Sequence, residues 1–219
     1  MQVLIANVLS LEEVAEARRV LATAEFVDGR ATAGWAAGLV KSNQQARTSS
    51  AIERLQETII ERVRANPVFA IAARPKAIAE LLFSRYQPGH SYGDHVDNPI
   101  VNGLRTDVSF TLFLSDPNAY EGGELVIGTP AGEDSVKLEA GSLFAYPSTA
   151  LHRVAEVTSG VRLAAVGWVR SLIRDPAQRE LLFDLDTAKR QHFDRYGKTT
   201  EFDLLAKCSA NLMRMWSED

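Results

Sequence analysis

The sequence predicts an α+β, mainly β chain: a jelly roll braced by helices on its N-terminal side and followed by a small helical unit. Three observations carry this reading. Apolar residues recur at helical spacing ahead of residue 66, short runs punctuated by Pro, Gly and Asn fill residues 79–169, and helical spacing returns after Pro176. With 219 residues, 46% hydrophobic and 24% charged, the chain has the composition of an ordinary globular protein with one sizeable core.

Taken in order, Val3 to Val8 reads as a strand. Ser10 followed by Glu13 has the spacing of a capping box and opens a helix whose inner stripe reads as Leu11, Val14, Ala15, the Arg18 stem and Leu21. A second helix is predicted from Ser50 to Ala65, with Ile52, Leu55, Ile59, Ile60 and Val63 inward and Asn66-Pro67 as its stop. Both have the pattern of braces against one side of a sheet. The polar segment between them, Trp35 to Gln45 with Asn43, Gln44 and Gln45, fits a solvated loop and a lid or substrate wall equally well and is assigned no role.

Turn chemistry then recurs at Gln87-Pro88-Gly89-His90, Asp116-Pro117-Asn118, Gly122-Gly123, Gly128-Thr129-Pro130, Ala140-Gly141, Tyr146-Pro147 and Ser159-Gly160. Regular punctuation of this kind argues for a jelly roll, in which inward residues of facing strands line a pocket. Past it, Asp175 and Pro176 read as a cap and first helical position, with Leu181, Leu182, Leu185, Ala188 and Phe193 following and Tyr196-Gly197-Lys198 as the stop. Thr200 is expected to cap a last helix striped by Leu204, Cys208, Leu212 and Met215, with Leu205 and Trp216 beside it. The division that follows is 1–175 for the roll and its braces and 176–219 for the helical unit.

A net charge of -4 without a basic run gives no electrostatic footprint for nucleic acid. The start lacks a signal peptide's basic and apolar regions, and no run approaches membrane-spanning length, so a cytoplasmic protein without a membrane partner is expected. Cys208 has no partner for a disulfide, which suits a reducing compartment, and it is expected to be a small buried apolar residue.

The residues that carry chemistry are His95-Val96-Asp97, then His152 and, ten residues after it, Arg162. Two imidazoles and one carboxylate on one face of a metal leave the other face open, the arrangement of non-haem Fe(II) oxygenases. His95 and Asp97 share a face if the strand is plainly extended. Arg162 adds a planar guanidinium able to make two parallel hydrogen bonds to a carboxylate. A His-x-Asp triplet alone is weak, and its weight comes from order and context. His90 in a Pro-Gly turn and His192 on a late helix are the competitors, and both are disfavoured by position. Gly122 and Gly123 suit either a hairpin or a close backbone approach to the pocket.

Arg85-Tyr86-Gln87-Pro88-Gly89 leading to Tyr92-Gly93-Asp94-His95-Val96-Asp97-Asn98-Pro99, then Tyr120-Glu121-Gly122-Gly123-Glu124-Leu125-Val126-Ile127, then Trp168-Val169-Arg170-Ser171-Leu172-Ile173-Arg174-Asp175 complete the pattern. This chain resembles the iron and 2-oxoglutarate dependent dioxygenases of double-stranded β-helix fold, in their prolyl-hydroxylase-like branch, and within it the bacterial PKHD-type hydroxylases. The resemblance implies that His95, Asp97 and His152 hold Fe(2+) and that Arg162 grips the remote carboxylate of 2-oxoglutarate. It implies O2 as the other cosubstrate, L-ascorbate as re-reductant, and hydroxylation of a small-molecule or peptidyl substrate with release of succinate and CO2. It implies a homodimer through the C-terminal helices and a link to bacterial iron acquisition.

One departure from the relatives is visible. The strand after the triplet puts Ser109, Thr111 and Phe113 on one face and Phe110, Leu112 and Leu114 on the other, without the tyrosine expected to help hold 2-oxoglutarate. Thr111, Tyr86 or Tyr92 is expected to take its place. The rival reading is a cupin-like metal- and ligand-binding module without turnover. It has no need of Arg162, and cupins more typically pair histidines as His-x-His.

Overall fold

Short apolar runs and frequent turns give a chain of sixteen strands and six α-helices in the computed structural model, which describes residues 1–218. The strands are β1 Val3–Ile5, β2 Phe26–Asp28, β3 Lys41–Ser42, β4 Gln44–Ala46, β5 Pro75–Tyr86, β6 Ser91–His95, β7 Ile100–Val101, β8 Leu104–Arg105, β9 Val108–Phe113, β10 Tyr120–Gly122, β11 Leu125–Thr129, β12 Gly132–Val136, β13 Leu143–Pro147, β14 His152–Val154, β15 Val157–Gly160 and β16 Arg162–Ser171. The helices are α1 Leu11–Thr23, α2 Trp35–Gly38, α3 Ser50–Ala65, α4 Pro67–Ala73, α5 Pro176–Tyr196 and α6 Thr200–Trp216.

A seven-stranded sheet, ordered β1-β13-β9-β16-β5-β4-β2, dominates the fold, and a five-stranded sheet, β12-β11-β14-β6-β3, accompanies it. Neighbouring strands in both sheets pair antiparallel. The arrangement is a mixed α+β fold, as expected, with a dominant sheet and flanking helices; no closed barrel forms among the described residues.

Strand alternation decides where the core sits. On the large sheet Leu81, Phe83, Val108, Phe110, Leu112, Leu143, Ala145, Ala165 and Val169 bury against Val14, Ala17 and Leu21 of α1 and Ile52, Leu55, Ile59 and Val63 of α3. The intervening residues, Ser84, Tyr86, Ser109, Thr111, Tyr146, Arg162 and Val166, face the other way and line a cavity. One sheet thus has a helix-backed apolar face and a polar, cavity-lining face.

Several expectations change in detail. β1 ends at Ile5, and Asn7 takes a left-handed φ of 54°, so no strand reaches Val8. The capping box of Ser10 and Glu13 forms, but the inner line of α1 is Val14, Ala17 and Leu21, with Leu11 and Ala15 exposed. Asn66 stops α3 and also starts a helix the sequence reading missed, since its side chain accepts from the backbone N–H of Val68 and Phe69 with Pro67 at the first position. Tyr146 and Pro147 end a strand rather than turn.

The C-terminal helices differ most. Asp175 and Pro176 open α5 as expected, but Thr199, not Thr200, caps α6. The residues α5 and α6 bury are Arg179, Leu182, Asp186 and Ser209, whereas Leu181, Phe193, Leu204 and Met215 are exposed and so is Cys208. Polar groups take the inner face because charged and polar partners meet them there: Arg74, the residue that ends α4, pairs with Asp186, which also accepts from Lys189 Nζ at 2.5 Å and Ser209 Oγ at 2.8 Å.

Candidate metal centre and cavity

The two histidines are neighbours across strands: His152 at the start of β14 pairs in register with His95 at the end of β6. Each ring is held by its own strand, His95 Nδ1 donating to Gly93 O at 2.8 Å and His152 Nδ1 to Ala150 O at 3.0 Å. With Nδ1 so occupied, the lone pair of each Nε2 is left for a ligand. Asp97 lies two residues past the end of β6 in irregular chain, not on a plain strand, yet it still converges. One ligand atom from each of His95, Asp97 and His152 lies within 4.8 Å of the others, and His152 Nε2 is 3.9 Å from Asp97 Oδ2.

The surroundings favour a metal over a proton. Burial lowers the pKa of His95, and the adjacent His152 lowers it further, so the ring is neutral at physiological pH. Ser109 Oγ donates to Asp97 Oδ2 at 2.5 Å and lies 2.8 Å from Ser148 Oγ, fixing the carboxylate's orientation. Tyr92 stacks on His95 with ring centroids 3.6 Å apart, and Tyr146 meets His152 edge-on at 5.0 Å. Two imidazoles and one aimed carboxylate are the donor set ferrous iron takes, so the residues fit the group.

A cavity of about 300 Å³ opens from this cluster and is walled by both sheets. Arg162, 1% exposed, lies in it with Nε and Nη1 unbonded and no carboxylate partner among the described residues. Its guanidinium sits 5.0 Å from the Tyr86 ring centroid and 5.5 Å from that of Phe113. Gly123, in the left-handed region at φ 67°, makes room: a Cβ there would lie 3.0 Å from Arg162 Cδ and 2.8 Å from Val157 Cγ2. The glycine pair thus serves as both turn and close approach. Burying a guanidinium without a counter-ion is unfavourable, and the two nitrogens Nε and Nη1 remain able to donate to a carboxylate.

All seven expected residues, His95, Asp97, His152, Arg162, Tyr86, Tyr92 and Thr111, line this one cavity. His90 and His192 do not: His90 Nδ1 accepts from Gln87 N, and His192 Nε2 contacts Thr199 Oγ1. The sequence reading missed Tyr146, whose phenol is raised well above its ordinary value by burial and by Asp97, with Thr111 opposing. The signal was the alternation Leu143-Phe144-Ala145-Tyr146 after Gly141. Lys41, Asn43 and Gln45 were missed as well, because buried polar residues leave no hydrophobic period to read.

Comparison with known proteins now bears on the geometry. The family described as the 2OG-Fe(II) oxygenase superfamily matches residues 81–170, and that described as the PKHD-type hydroxylase C-terminal domain matches residues 176–218. A PKHD-type hydroxylase of Acaryochloris marina is 56% identical over 213 residues, 97% of either chain. One from Picosynechococcus is 55% identical over 98% of either chain. Among solved structures, a Pseudomonas putida prolyl-4-hydroxylase overlays with a TM-score of 0.54 at 23% identity, covering 78% of this chain and 92% of that one. A Trichoplax adhaerens prolyl hydroxylase overlays at 0.56 and 17% identity over 82% and 86%. These structural likenesses bear on fold alone; near-full-length identity above one half, on top of the assembled triad, means that the chain belongs to the PKHD-type hydroxylases.

Proposed function

We propose that this protein is an Fe(II)- and 2-oxoglutarate-dependent dioxygenase that hydroxylates an unactivated C–H bond. The reaction balances as R–H, O2 and 2-oxoglutarate giving R–OH, succinate and CO2, one oxygen atom entering each organic product. The observation that carries the reading is a buried two-histidine, one-carboxylate cluster sharing a cavity with an unpaired buried arginine. A bound iron would supply O2 activation. His95, Asp97 and His152 hold it on one face; Arg162 grips the far carboxylate of 2-oxoglutarate, with Tyr86, Thr111 and Tyr92 around it. The enclosing sheets keep bulk water from the reacting groups. A cupin-like binding module would leave Arg162 without a role.

The fold reading that goes with this is a double-stranded β-helix across residues 1–175, with 176–219 as a helical domain. That domain presents Leu181, Phe193, Tyr196, Leu204 and Met215 to solvent, and large exposed apolar side chains of this kind favour a covering partner. We assign it to a homodimer contact, and truncation before Asp175 should give a monomer by light scattering. No helix among the described residues is long and apolar enough to cross a membrane. A cytoplasmic setting and L-ascorbate as re-reductant complete the proposal, and a link to iron acquisition is part of it.

The test is an anaerobic titration of apoprotein with Fe(II) and 2-oxoglutarate, following the weak visible charge-transfer band of their chelate. The band is expected in wild type and not in His152→Ala. Iron binding without any band in wild type would return the binding module as the better reading.

A further inference from the structure

The cavity contains one cation that neither the triad nor Arg162 accounts for. Lys41 is 7% exposed, and its Nζ donates to Thr32 Oγ1 at 3.0 Å and lies 5.0 Å from the Tyr92 ring centroid. No carboxylate of the described residues comes within 4.0 Å of it. Its position is fixed by the edge pairing of β3 on β6, Lys41 opposite Tyr92, three residues before His95. That pairing is close: Gly93 N donates to Val40 O at 2.8 Å, and a Cβ on Gly93 would lie 2.9 Å from Val40 Cβ.

Lys41 also heads a polar row. Lys41, Asn43 and Gln45 are buried while Ser42 is exposed, so alternate residues of one extended segment face the cavity. Thr32 Oγ1 donates on to Gln45 Oε1 at 2.6 Å, and both side-chain polar atoms of Asn43 are buried without a partner. Burial pushes the Lys41 ammonium down to about 8, with Asp97, Asp28 and Glu80 offsetting it from longer range. It is therefore charged at neutral pH.

We propose that Lys41 anchors a carboxylate of the molecule that is hydroxylated, which makes the primary substrate a small monocarboxylate. This rests on the dioxygenase reading above. The two carboxylates of 2-oxoglutarate are already placed, one end at the metal and the other at Arg162 on the opposite sheet. A cavity of about 300 Å³ shared with 2-oxoglutarate leaves room for a small second molecule. Glu80 and Asp97 on its walls oppose a second negative charge.

The test measures succinate formation by the full chain with Fe(II), 2-oxoglutarate and each of the L-α-amino acids and their N-acetyl derivatives, every acid beside its carboxamide. At least one acid should accelerate succinate formation, with its amide at least ten-fold weaker. In Lys41→Met the acid should lose that advantage while 2-oxoglutarate affinity, read from the chelate band, stays within two-fold; Lys41→Arg should restore part of the preference. Amides equal to acids, silence from every acid, or a preference that survives Lys41→Met would overturn the proposal. So would a loss of 2-oxoglutarate affinity in Lys41→Met, which would place Lys41 on the cosubstrate. Absence of the chelate band in wild type would instead sink the dioxygenase reading itself.

Discussion

At the junction between the large sheet and the C-terminal helices, opposite charges face one another, whereas the cavity cations Arg162 and Lys41 have no carboxylate within ion-pair distance among the described residues. Arg74 meets Asp186, and Asp107 accepts from Arg105 Nε at 2.7 Å and from Ser171 N at 2.9 Å. Arg179 Nη1 donates to the carbonyls of Ile173 and Arg174 at 2.7 and 2.8 Å. Arg162, 1% exposed, has no carboxylate partner among the described residues, and its Nε and Nη1 make no hydrogen bond. Matched charge fixes how elements dock; unmatched charge marks where something else binds, and it lowers the stability of the empty protein.

If that contrast is right, removing charge should have opposite effects in the two places. The largest effect is expected at the junction. Asp186→Asn leaves Arg74 buried without its counter-ion and should lose about 3 kcal/mol in urea unfolding at pH 7, with 2-oxoglutarate affinity unchanged. Burial pushes the Asp186 pKa up, but hydrogen bonds from Lys189, Arg74 and Ser209 outweigh it and hold the group below its ordinary 3.8. A depressed carboxyl stabilises the fold above its unfolded pKa, and that contribution is lost as pH falls through the lower folded value. The gap between wild type and variant should therefore persist at pH 5 and close below pH 3.8; a gap unchanged in acid would assign the loss to packing.

Arg162→Met comes next. Losing a charge-assisted bidentate contact should weaken 2-oxoglutarate binding on the order of 100-fold, with Fe(II) binding retained. Unlike the junction variant, it should leave the empty protein as stable as wild type or more so, because an uncompensated buried cation has gone. A destabilised Arg162→Met protein would break the comparison.

The same contrast explains what could be read from the sequence. That the triad and Arg162 would share one cavity was legible because each rests on residue type, spacing and the resemblance, and alternation put Ser109 and Thr111 on one strand face, from which both line that cavity. The helical tail was legible in extent and not in orientation: Arg179, Asp186 and Ser209 turn inward, and a search for apolar periodicity ranks such positions as outside. Asn66-Pro67 was read as a stop because a cap that also opens the next helix looks the same until α4 is seen. Tyr146 was lost to Pro147, a turn signal that here ends a strand. Long-range pairing of charge, as between Arg74 and Asp186, has no local signature at all.

The two regions are joined at Asp107, and this permits a finer prediction. Its backbone carbonyl accepts from Ser148 N at 3.3 Å and from Arg179 Nη2 at 3.4 Å, so α5 and the Ser148 backbone share one acceptor. Ser148 Oγ lies against Ser109 Oγ, and Ser109 donates to the metal-binding carboxylate of Asp97. Partners of this kind orient a ligand without touching the metal, and their loss typically weakens metal binding by about 10- to 100-fold. Ser109→Ala should sit at the low end, about ten-fold in Fe(II) affinity by anaerobic calorimetry, since Asp97 keeps its place beside His95. Ser148→Ala removes only the hydroxyl behind Ser109 and should have a smaller effect. Were Ser148→Ala to weaken Fe(II) as much as Ser109→Ala, the pair would act as a unit, and orientation of Asp97 would depend on the path to Asp107 rather than on one hydrogen bond.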